Sequence, residues 1–106
     1  MDRSFNEIRG RYNGPAEIWF DDVKQFEVTI QLTRYVEVTE ITTFGGVSHL
    51  DGVNSWDGRI VGLCQNDLMT LAVRTFQLKM PDGEERQAVL PNGDSYLRGT
   101  GMPPFG

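Results

Sequence analysis

The 106-residue chain contains one cysteine, one histidine and two lysines. Each scarcity excludes something. A lone Cys64 forms no intramolecular disulfide, which suits a reducing compartment. With His49 as the only histidine, the chain cannot assemble a tetrahedral zinc set from nitrogen and sulfur ligands, and no metal site is expected. Lys24 and Lys79 are the only lysines, the arginines are scattered, and the formal net charge is -5. Such a chain offers no clustered basic face to phosphates, so nucleic-acid binding is not expected. The apolar runs are only a few residues long, and the N-terminal MDRSFNEIRGRYNG has none. Neither a membrane span nor a secretory leader is expected, and the chain reads as cytoplasmic. Its length fits a single β domain, 1–106, large enough to bury a core without staples.

What the sequence does have is a period of two. From Lys24 to Arg34, Phe26, Val28, Ile30 and Leu32 alternate with Glu27, Thr29, Gln31 and Thr33, the pattern of a half-buried strand. From Tyr35 to Phe44 the β-branched content stays high while the alternation slips near Thr39. A bulge there would keep Val36, Val38, Ile41 and Phe44 buried. Asn13-Gly14-Pro15 reads as a turn between Ile8–Tyr12 and Ala16–Phe20, and Asp21-Asp22 as a second turn. Pro81-Asp82-Gly83 and Pro91-Asn92-Gly93 bracket a strand from Glu85 to Leu90, so Thr70–Lys79, Glu85–Leu90 and Ser95–Gly99 form an antiparallel meander.

Between Asn66 and Met80 two patterns compete. Leu68, Leu71, Ala72, Thr75 and Phe76 keep helical spacing after a capping Asn66-Asp67. Leu71 and Val73, then Phe76, Leu78 and Met80, alternate. The β-branched content and the sharp turn that follows favour a strand bulged near Arg74 or Thr75. The sum is an all-β protein of about seven or eight strands with meander connections, a small antiparallel barrel or a two-sheet sandwich.

No catalytic signature stands out. His49 and Asp51 lie two apart and would share a face of a strand, as an acid–base pair needs. No serine sits in a nucleophile elbow. The stretch Asp51–Gly58 is off-pattern for calcium, with Val53 at a ligand position and Trp56 where glycine belongs. Gly99-Thr100-Gly101 opens no helix and precedes two prolines, so no dinucleotide cofactor is expected. Cys64, after Ile60–Leu63, reads as a small buried hydrophobe. Trp56 reads as a cap on the end of the core or the wall of a ligand pocket, with Arg59 placed to stack on it, to clamp a carboxylate or to pair with Asp51 or Asp57.

Three blocks carry more information together than any residue alone. Tyr12-Asn13-Gly14-Pro15-Ala16, Asp51–Arg59 and Gly99–Phe105 fit Y-x-G-P-A, D-G-x-x-x-W-x-G-R and G-x-G-x-P-P-F. In this order they resemble an actinobacterial family of domains of unknown function, found alone or appended to flavin-containing monooxygenase-like proteins. The resemblance spans nearly the whole chain and departs from the family pattern at Thr43–Val47. It implies a small β domain and a monooxygenase-type protein partner, and it carries over no catalytic residue. Its recurring positions are Tyr12, Gly14, Pro15, Asp51, Gly52, Trp56, Gly58, Arg59, Gly99, Gly101, Pro103, Pro104 and Phe105. Many are Gly or Pro, which have backbone reasons to recur.

The expected function is therefore a noncatalytic accessory domain or a binder of an apolar small molecule, with Trp56, Arg59, Asp51, His49 and Tyr12 as candidate ligand residues. The competing expectations are a small enzyme using His49, Asp51 and Arg59, and a homo-oligomer built on free strand edges.

Overall fold

Among the described residues, six strands and one short helix follow in the order β1 (Arg3–Phe20), β2 (Val23–Thr43), β3 (Gly46–Val61), α1 (Gln65–Leu71), β4 (Phe76–Lys79), β5 (Glu85–Val89) and β6 (Tyr96–Gly99). The computed structural model describes residues 3–72 and 74–105. All strand pairings are antiparallel, and the strands close a barrel in the ring order β1-β2-β3-β6-β5-β4.

Local chemistry explains the long β1–β2 hairpin. Asp21 and Asp22 both take left-handed backbone angles, φ 48° and 63°, a two-residue turn whose twist matches that of the flanking strands. Aspartate is among the few side chains that visit this region at small cost. Pairing then runs from Phe20–Val23 out to Arg3–Glu40. Along β2, Val28, Ile30 and Leu32 are buried as the alternation predicts. They meet Ile18, Ile60, Phe76, Leu78, Ala88, Leu90 and Leu97 in one core cluster.

The first three strands outrun the barrel. β4 pairs with β1 only over Glu17–Trp19, and β6 pairs with β3 only over Asp57–Arg59. Past those positions β1, β2 and β3 continue as a three-stranded arm, giving an elongated molecule of 56 × 28 × 22 Å. At the other end, α1 carries the chain from β3 to β4, strands that are not neighbours in the ring, and its Leu68 and Leu71 are buried in the core.

Several expectations are corrected. The chain is all-β and antiparallel as expected and closes as a barrel, but with six strands among the described residues in place of seven or eight. Asn13-Gly14-Pro15 is no turn, since β1 runs through it unbroken; Pro15 lies where β1 is an edge strand, the place a sheet tolerates proline. The irregularity assigned to Thr39 lies across the ladder in β3. There Gly52 and Val53 fall between the pairs Val36–Asn54 and Val38–Asp51. Past Leu32, β2 therefore keeps its alternation: Val36 and Val38 are buried on one face, Ile41 falls on the other and is half-buried, and Phe44 is fully exposed at the arm's turn. Asp51–Arg59, the stretch compared with a calcium loop, lies wholly within strand β3.

The two patterns competing after Asn66 are both real and consecutive. Helical spacing holds over α1 and alternation over β4, so the phase slip marks a change of element rather than a bulge. Val73 lies outside the described residues. Cys64, the residue preceding α1, is exposed rather than buried.

Candidate functional site

The three blocks converge at the arm end of the barrel. Trp56 stands on β3 directly across from Arg34 on β2, and only 1% of its surface is exposed. A Cβ built on Gly99 would lie 1.9 Å from the indole, and one on Gly58 would lie 1.9 Å from the carbonyl oxygen of Gln31. Both positions demand glycine because of close approach. Tyr12 donates its hydroxyl to the Pro15 carbonyl at 2.7 Å and folds its ring over Gly14. The Phe105 ring lies 6.2 Å from that of Tyr12. Pro103 and Pro104, between β6 and Phe105, are buried. The chain's ending is a packed cover over the barrel, held also by Arg86 Nε donating to the Met102 carbonyl at 2.9 Å.

The five candidate ligand residues do not assemble into one site. Trp56 faces the core, whereas Arg59, three residues on, is exposed. Period two puts them on opposite faces, so the stacked clamp does not form. The acids offered to Arg59 are engaged elsewhere: Asp51 pairs with Arg9 at 3.0 Å, and Asp57 accepts the Tyr96 hydroxyl at 2.9 Å. His49 and Asp51 do share a face, out on the arm. His49 lies 3.7 Å from Glu40, which also holds Arg3 at 3.4 Å. The result is a solvated row of exposed ion pairs of low energetic worth. Tyr12 belongs to the barrel cover.

One polar feature escaped sequence reasoning. Arg34 Nε and Trp56 Nε1 are buried donors without an acceptor among the described residues, and Arg34 gives Nη2 to Asn54 Oδ1, at 3.3 Å. The available signal was parity, because Arg34 continues the inward series Ile30, Leu32. Near this point the Tyr96 phenol is pushed above its ordinary 10.0, first by burial and then by its bond to Asp57.

Open grooves flank the arm end. One, of about 450 Å³, lies over the sheet face from Asn6 on β1 and Tyr35 on β2 across Val53–Asp57 on β3 to the stretch from Tyr96 to Gly101. Another, of about 350 Å³, lies between Arg34, Arg86 and the ending at Phe105. A third, of about 430 Å³, opens on the outside of the barrel between β1 and Lys79–Pro81. The barrel interior itself is occupied by the core cluster. Among the described residues no three His, Cys, Asp or Glu side chains come together as metal ligands, and no helix is long and apolar enough to cross a membrane. Compared with protein-family models, with curated proteins and with solved structures, the chain matches none.

Proposed function

We propose that this chain is a noncatalytic accessory domain that works by contact with another protein. One observation carries the reading. The barrel interior is filled by side chains from Ile18 to Leu97, and the most specific residues of the sequence, Trp56, Gly58, Gly99 and Phe105, are spent on packing that interior shut. A pocket for an apolar ligand needs concave space lined by such residues. The enzyme reading is weakened by geometry, since His49 and Asp51 stand in exposed ion pairs and Arg59 lies apart. The family resemblance proposes the class of partner, a flavin monooxygenase-type protein. The exposed free Cys64 fits a reducing, cytoplasmic setting.

Native mass spectrometry of the purified protein tests this. The accessory reading expects the mass of the polypeptide alone, alone or in multiples. A small molecule retained in stoichiometric amount replaces it with a carrier reading.

A further inference from the structure

The arm has two free edges, and they differ in kind. Along β1 the unpaired stretch carries Arg3, Glu7, Arg9, Arg11 and Pro15, charges and a proline of the sort that discourage another strand from adding. The β3 edge from Gly46 to Trp56 has no lysine, arginine or proline. Its ionisable groups are His49 and Asp51, and its Val47, Leu50 and Val53 are each more than half exposed.

This stretch complements itself. Run antiparallel to its own copy about a twofold axis at Leu50, it sets Leu50 against Leu50. His49 of each copy then stands opposite Asp51 of the other, and Val47 beside the bulged Val53. Directly opposed side chains in such a pair sit about 4.5–5.5 Å apart, close enough for the apolar and charged contacts to form. Asp51 already holds Arg9 and His49 already faces Glu40, so the junction continues a row of polar side chains.

The same register accounts for two further features. Phe44, in the Phe44-Gly45 turn at the arm's tip, is the most exposed large hydrophobic residue described, at 112%. Antiparallel pairing about Leu50 brings that turn level with Trp56 and Asp57 of the other copy, where β6 leaves β3. There the groove of about 450 Å³ lies, beside Tyr96, Gly99 and Gly101. We propose that two copies of this chain associate through their β3 edges, forming a continuous six-stranded sheet with each Phe44 seated in the other copy's groove. A twofold contact of this kind is self-complementary by construction. The inference does not depend on the accessory reading.

Sedimentation equilibrium on the full chain is the first test, with a dimer expected. Leu50→Lys places two cations face to face on the axis and should yield a monomer, while Ile8→Lys on the β1 side should leave the dimer intact. A cross-link keeps the idea testable if Leu50→Lys fails to fold. In a Cys64→Ser background, Leu50→Cys should give a disulfide-linked dimer under mild oxidation, since opposed Cα atoms lie within disulfide reach, and Ile8→Cys should not. A wild-type chain that stays monomeric across a wide concentration range overturns the proposal. So does a Leu50→Lys dimer, or cross-linking through Ile8→Cys in place of Leu50→Cys.

Discussion

Gly99 lies flat against the indole of Trp56, so close that a single methyl group on it would stand 1.9 Å from the ring. The two residues are a lid and its seat. Trp56→Ala should cost roughly 3 kcal/mol or more by emptying the barrel mouth. Gly99→Ala should cost about 1–3 kcal/mol by forcing the indole aside. Combined, they should cost less than their sum, because the alanine methyl enters the space the indole has left. Denaturant unfolding of the three variants measures the coupling, and strict additivity would place the residues out of contact.

The ending after β6 should behave as part of the fold. Phe105 packs on the core beside Tyr12, and Pro103 and Pro104 are buried. Phe105→Ala should therefore lower stability by about 1–2 kcal/mol, given its half-buried ring. Removing residues 102–106 should lower it further. A truncated chain that melts like the wild type contradicts the packed cover.

Tyr96 gives a pH dependence with a definite sign. Burial and the bond to Asp57 raise its folded pKa above the ordinary 10.0. A raised folded pKa favours the protonated phenol, so the contribution is full below the unfolded pKa and is lost as pH rises through the folded one. Tyr96→Phe should cost about 1 kcal/mol at neutral pH. The gap between variant and wild type should close in strongly alkaline solution, as chemical denaturation at several pH values would register.

At concentrations low enough for the chain to be monomeric, His49→Ala and Asp51→Asn should leave the melting temperature nearly unchanged, because the pairs they break within one chain are solvent-exposed. Differential scanning calorimetry checks this. A large drop would mean that the arm relies on these charges far more than its exposure implies.

How far the sequence spoke depended on whether a signal was local. The alternation from Phe26 to Leu32 and the turns at Asp21-Asp22, Pro81–Gly83 and Pro91–Gly93 were readable because each depends on neighbouring residues. Pro15 misled because its tolerance in β1 rests on the absence of a neighbouring strand at that position, a tertiary fact. The bulge expected near Thr39 belongs instead to Gly52 and Val53 on the neighbouring strand, because which of two paired strands carries an extra residue is decided by their register and not by either segment alone. The separation of Trp56 from Arg59 was legible once Asp51–Arg59 was taken as strand. The meeting of Trp56 with Gly99, or Tyr12 with Phe105, was not, since nothing short of ring closure brings β6 and the ending back to the arm.

Two seams close that ring. β4 meets β1 over Glu17–Lys79, Ile18–Leu78 and Trp19–Gln77, and β6 meets β3 over Asp57–Arg98, Gly58–Leu97 and Arg59–Tyr96. The β1–β2 and β2–β3 ladders are far longer and join strands consecutive in the chain. Local ladders form early, and short nonlocal ones yield first. The meander β4–β6 is then a door hung on a fixed frame. Its amide protons should exchange with solvent ahead of those in the centre of the β1–β2 hairpin, with the core around Phe76 and Leu97 the first to admit water.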